Sequence, residues 1–240
     1  MRRNQSYWKL SNSPFYSFVF TLPLFGFYEV LTLFLSRNQM MTLRNGADVL
    51  FRQLLEMLGV WGMYILSIGF IVAFMVTFLL QKRKWWGTTV KGEYLIYMLL
   101  EGTGWGILLF LSLKYFPKLL MFPTGEQLSQ QIVLAIGAGL YEEFLFRVVA
   151  ISLFSLCLKV LLGWAKWQRM TIAILFSAGL FSAFHFLGEF GEAYNMTAFI
   201  YRGFAGVLLG ILYVTRGFGI TSYSHMVYDF IIVIRMTVVE

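Results

Sequence analysis

Long apolar runs alternate with short polar or basic stretches along the whole 240-residue chain. An α-helix needs about 20 mostly apolar residues to cross the roughly 30 Å hydrocarbon core of a bilayer. Seven stretches reach that length, at about 15–35, 60–80, 94–113, 130–158, 170–187, 198–215 and 220–237. The pattern predicts an all-α, polytopic transmembrane helical bundle of about seven spans, with six to eight the admissible range. No succession of short segments alternates apolar and polar residues, as a membrane β-barrel would. The longest polar interval, 36–59, carries a second half that predicts an amphipathic helix along the membrane surface. The opening MRRNQSYWKL resembles the charged start of a signal peptide, but the apolar run behind it exceeds a signal core, so it reads as the approach to span one.

Composition agrees with this class: 59% of residues are hydrophobic, 19% aromatic and only 13% charged, far too apolar for a soluble domain. Charge then orients the spans. Arg2, Arg3, Lys9, Lys82, Arg83, Lys84, Lys91, Lys159, Lys166, Arg169 and Arg216 fall on one side of seven alternating spans, against Arg37, Arg44, Arg52, Lys114 and Lys118 on the other. The richer side is expected to be cytoplasmic, which puts the N-terminus inside and the loop GEFGEAYN outside. This distribution accounts for the net charge of +7 without a nucleic-acid partner. Trp85, Trp86, Trp164 and Trp167 flank the basic loops and read as headgroup-level anchors. Cys157 is the sole cysteine, so no intramolecular disulfide is possible. Gly102 with Gly106, and Gly206 with Gly210, are spaced for close helix packing.

Five carboxylates fall inside the predicted spans: Glu29, Glu101, Glu142, Glu143 and Asp229. Each is costly in hydrocarbon unless neutralised, paired or hydrated, which makes it a candidate for function. Glu29 and Glu101 look solitary and fit a bonded structural acid. In YEEFLFR, Glu143 and Arg147 are four residues apart and face each other along a helix, while Glu142 turns onto another face. Both histidines of the chain, His185 and His225, lie in spans, and Asp229 stands one helical turn beyond His225 where it is expected to orient the imidazole. Such a set permits hydrolysis: a carboxylate takes a proton from water while imidazoles stabilise an oxyanion or bind a metal that does so. A serine mechanism is disfavoured, because no G-x-S-x-G turn occurs.

The order EEFLFR, FSAFH (Phe181 to His185) and HMVYD (His225 to Asp229) resembles the motifs E-E-x-x-x-R, F-x-x-x-H and H-x-x-x-N/D of the CAAX-prenyl-protease and bacteriocin-processing (CPBP, or Abi) family of intramembrane proteases. The resemblance covers about 130–237 and divides one structural domain into three N-terminal spans with their loops (1–129) and a catalytic membrane core (130–240). It implies an endopeptidase in which Glu142 activates water, His185 assists, His225 with Asp229 supports the oxyanion, and Glu143 with Arg147 shapes the pocket. Its members are described both as metalloproteases and as glutamate proteases. Zinc, if bound, would take Glu142, His185 and His225 as ligands, although no H-E-x-x-H helix is present. Asp229, where many relatives carry Asn, suits a cationic oxyanion donor better than a neutral metal ligand and favours the glutamate reading. The implied partners are the lipid bilayer and a membrane-associated peptide or protein: a CAAX-like tail, a leader peptide or a C-terminal anchor.

The span boundaries conflict with a shared site. Counted at about 1.5 Å per residue from the inner ends, Glu142 and His185 lie roughly 22 to 24 Å deep and His225 about 8 Å. A meeting is expected if RGFGITSYS, 216–224, enters the membrane as a non-helical segment and the last helix begins near Ser222. Three rivals stand beside the protease: a non-cutting binding or immunity protein of the same fold, a membrane cytochrome with two axial histidines, and a transporter or channel with the buried acids as its ion path, which ranks below the protease because no internal repeat with paired broken helices is evident.

Overall fold

The computed structural model describes residues 6–35, 44–57, 72, 90–113, 128–187 and 191–239. Eight helices run through them: α1 Tyr7–Ser11, α2 Pro14–Leu35, α3 Gly46–Met57, α4 Gly92–Leu113, α5 Leu128–Leu162, α6 Lys166–Phe184, α7 Met196–Arg216 and α8 Phe218–Val239. No strand occurs among the described residues, so the all-helical class holds. The expected span at 60–80, the tryptophans at 85 and 86 and the basic residues at 2, 3 and 82–84 lie outside them.

Among the described residues, four helices are long and apolar enough to cross a membrane: α2, α4, α5 and α7. Helices α6 and α8 are of similar length but more polar. For α8 the reason is its place in the bundle: it packs on α2, α4, α5 and α7, and Thr221, Ser222, Ser224, His225 and Asp229 are all buried among protein rather than lipid. A helix surrounded by protein can carry polar groups that a lipid-facing one cannot.

Small residues allow these approaches, as their spacing predicts. A Cβ on Gly106 would stand 2.8 Å from the Ser224 carbonyl oxygen and from Val227, and one on Gly102 would stand 3.2 Å from Tyr223, so α4 and α8 are in near-backbone contact. Gly206 and Gly210 meet Ala178 and Ile174 of α6 in the same way. Gly217, at φ +80°, makes the turn between α7 and α8 in a region that favours glycine. Trp164 and Trp167 are exposed next to the turn at Gly163, consistent with anchoring at a headgroup level.

Three expectations are corrected. The segment 216–224 is not an irregular insertion: α8 is helical from Phe218, and Gly217 alone interrupts the helices. The depth conflict resolves otherwise. Phe218 lies beside Phe144, with ring centroids 6.1 Å apart, and shares a cavity wall with Val148, so α8 starts well short of the end of α5 at Leu162. The helices do not all begin at one common plane. Second, the amphipathic helix exists as α3, but Asp48 and Arg52 are buried against the bundle instead of facing a membrane surface. Third, neither Glu29 nor Glu101 is solitary. Arg44 and Arg52 each reach Glu29 at 3.3 Å and also bind Asp48 at 2.7 Å, and Tyr141 donates to Glu29. Arg216 grips Glu101, which also accepts from Tyr7 and Trp105.

Candidate active site

The site forms where α5, α6 and α8 meet, and α5 is unusual there. From Ala138 to Glu142 and from Phe144 to Ile151 it winds as a π-helix, with i→i+5 hydrogen bonds. Such turns are rare and recur at functional sites. They carry Glu142 and Arg147, and Glu143 joins the two stretches. Gly137 and Gly139 open this stretch to its neighbours: a Cβ on Gly139 would stand 2.6 Å from the Ser222 carbonyl oxygen, and one on Gly137 would collide with Tyr28 and Asn45.

The two glutamates face different partners, as their spacing predicts. Glu143 is fully buried, with one carboxylate oxygen 2.8 Å from His225 Nδ1 and the other 3.0 Å from Arg147 Nε. The Arg147 contact is close but not aligned as a hydrogen bond, and among the described residues both terminal guanidinium nitrogens lack hydrogen-bond partners. The guanidinium instead lies 4.6 Å from the centroid of the Phe181 ring, in cation–π range. Glu142 points elsewhere. Its Oε1 accepts from Asn45 Nδ2 at 2.8 Å, and its carboxylate interacts electrostatically with both His185 and His225.

His185 caps the C-terminal end of α6, where its Nδ1 bonds the Phe181 carbonyl at 2.9 Å. A carbonyl only accepts, so Nδ1 carries the proton and a neutral ring leaves a lone pair on Nε2. His225 is fixed in a parallel manner, with Glu143 in the place of the carbonyl. Both imidazoles pack edge-on against Phe181, at 5.1 and 5.9 Å between ring centroids. Asp229 lies 3.7 Å from His225 Nε2, beyond hydrogen-bond distance, so the expected orienting contact falls to Glu143. The six predicted residues are thus brought to one region, and the mismatch in depth does not separate them.

Among the described residues, no three His, Cys, Asp or Glu side chains are arranged as a metal site. The hydrogen bonds at Glu142 Oε1 and at each Nδ1 leave Oε2 and the two Nε2 atoms as the donors Glu142, His185 and His225 would offer a zinc ion, an arrangement usual for metal-bound histidines, so the bonding does not itself exclude one. A cavity of about 320 Å3 opens among α2, α5, α6, α7 and α8 and is lined by Phe18, Phe144, Val148, Met170 and Phe218. None of the six predicted residues lines it.

Sequence reasoning passed over Asn45 and Arg202. Asn45 sits in RNGAD, which reads as an ordinary turn before a helix. Arg202 binds Glu192 of the acidic loop at 2.6 Å and lies close enough to His185 to act on its charge. Its place in span six was a signal of its own, since an intramembrane arginine is a candidate on the same grounds as a carboxylate.

Residues 124–231 match a family model described as "Type II CAAX prenyl endopeptidase Rce1-like". No curated protein matches the chain, and no solved structure does. The matched segment contains Glu142, Glu143, Arg147, His185, His225 and Asp229 and bears out the family resemblance carried by their motifs; Asn45 lies outside it.

Proposed function

On an Rce1-like domain at residues 124–231, we propose that the protein is an integral-membrane endopeptidase that cleaves a peptide bond near the bilayer with water activated by Glu142. The observation that carries this reading is the division of labour in the paired glutamates. Glu143 is consumed by Arg147 and His225, whereas Glu142 makes a single hydrogen bond among the described residues and keeps Oε2 for another partner.

In the proposed reaction, Glu142 removes a proton from water as the oxygen attacks the scissile carbonyl. The developing oxyanion is stabilised by His225, whose ring is held by Glu143, and His185 helps to place the water. Glu142 then passes the proton to the leaving amine as the carbon–nitrogen bond breaks. Asp229 supplies negative charge near His225, and Arg147 lies against the second oxygen of Glu143. No step needs a metal, which favours the glutamate mechanism over the zinc one.

The substrate is a flexible or unwound segment, because peptide bonds inside an intact helix are shielded by their own hydrogen bonds. A CAAX-like tail, a leader peptide or a C-terminal anchor meets that requirement. The N-terminus lies in the cytoplasm by the asymmetry of basic residues, which protease protection of an N-terminal tag checks.

The deciding experiment compares peptide termini in membranes of cells that make wild type or Glu142→Ala at matched abundance. New termini found with the wild type alone support the protease and identify its substrate class. Identical termini, with both proteins folded, leave the non-cutting reading in its place.

A further inference from the structure

The Glu142 carboxylate is held from outside the matched domain. Asn45 lies 97 residues earlier, immediately before α3, and its Nδ2 donates to Glu142 Oε1 at 2.8 Å. The amide cannot turn the other way, because its Oδ1 already accepts from the Ala47 N–H at 2.9 Å. The backbone is anchored as well. The Asn45 N–H donates to the Tyr28 hydroxyl at 3.1 Å, and that hydroxyl donates to Asp48 at 2.9 Å. Asp48 in turn takes Arg44 and Arg52, both at 2.7 Å. A Cβ on Gly137 would stand 2.8 Å from Asn45 Cβ, so the turn is seated directly on α5. Asn45 is only 7% exposed.

We propose that Asn45 is a positioning residue of the catalytic centre, its amide fixing the Glu142 carboxylate so that Oε2 is the oxygen that meets water. The inference rests on Glu142 being the base. A glutamate's terminal torsion is broad, and an untethered carboxylate presents either oxygen over a range of angles. A hydrogen bond to one oxygen removes that freedom before substrate arrives, which is where positioning contributes to rate. An amide suits the task because it donates without taking the base's proton, as a neighbouring carboxylate would. The first half of the chain, beyond any length needed to span the membrane, would then complete the site.

The test separates this role from capping α3, which Asn45 also does. Asn45→Asp and Asn45→Ser both keep an oxygen able to cap the helix. The first replaces the donor with a carboxylate that repels Glu142 or shares its proton; the second is too short to reach it. Each variant is made as the full chain in membranes, beside wild type and Glu142→Gln, and the readout is the initial rate at which wild-type-specific peptide termini appear. Thermal melting in detergent is measured on the same preparations.

The expected result is a rate lower by about 100-fold in both Asn45 variants, from a misplaced base, with Asn45→Ser, which introduces no charge, melting within a few degrees of the wild type. If either folded variant cleaves within twofold of wild type while Glu142→Gln is inactive, Asn45 is only a cap and this inference falls alone. If Glu142→Gln cleaves like wild type, or wild type yields no specific termini, the assignment of the base fails and takes the positioning role with it.

Discussion

Glu143 Oε1 and His225 Nδ1 stand 2.8 Å apart although 82 residues separate them in the chain. The contact ties α5 to α8 in the buried interior and fixes which ring nitrogen of His225 faces the site. Because the second oxygen of Glu143 lies against Arg147, one carboxylate orients an imidazole and balances a guanidinium that is 0% exposed.

Removing one member of this arrangement leaves a buried charge without compensation, which typically costs about 3–5 kcal/mol. Arg147→Met and Glu143→Gln are therefore each expected to lower the stability of the protein by that order, and Glu143→Gln, although it keeps an acceptor for His225, to lower cleavage as well. A double-mutant cycle by thermal unfolding in detergent checks this. A coupling energy near zero between positions 143 and 147 would refute it.

Gly139 is a point of close approach between α5 and α8, with the Ser222 carbonyl oxygen 2.6 Å from where a Cβ would stand. Gly139→Ala must push the helices apart and with them Glu143 from His225. The expected cost is about 1–3 kcal/mol together with lost cleavage. Gly179→Ala is the matched control. Nothing lies within 4 Å of its Cβ position, so the change is expected to be neutral or to stabilise by about 0.5–1 kcal/mol.

Arg216 binds Glu101 of α4 and, through Nη2, the Ser11 hydroxyl of α1 at 2.8 Å. It also lies 4.1 Å from the centroid of the Trp8 ring. Arg216→Met should loosen α1 from the bundle and cost several kcal/mol, of the order of about 3–5, because Glu101 loses its countercharge. Adding Glu101→Gln should restore part of that loss. Limited proteolysis near residues 6–14 and thermal unfolding would show both effects, and a single mutant as resistant as wild type would contradict them.

If water is activated by Glu142 alone, chelation has no ligand to remove. Cleavage in membranes treated with EDTA and dialysed against metal-free buffer is expected to proceed at the untreated rate. A loss of activity that added zinc restores would instead assign Glu142, His185 and His225 a metal, held through the carboxylate oxygen and ring nitrogens that their hydrogen bonds leave over.

The sequence alone determined the class and the chemical inventory. Apolar runs of membrane-spanning length fixed an all-helical architecture, because a bilayer interior leaves the backbone few other choices. Ionisable groups stranded in those runs exposed Glu142, Glu143, Arg147, His185, His225 and Asp229, because hydrocarbon makes such groups costly without a use. The i,i+4 spacing of Glu143 and Arg147 foretold their contact for a local reason: neighbours on one helix are set by its own winding. Tertiary structure decided what depends on how helices pass one another. The depth at which α8 begins, the choice of Glu143 over Asp229 as the partner of His225, and the pairing of Glu101 with Arg216 all join separate helices whose offsets are set by packing, not spacing. Asn45 is the clearest case. In its own segment it is a turn residue like many others, and only the seating of that turn against Gly137 brings its amide to Glu142.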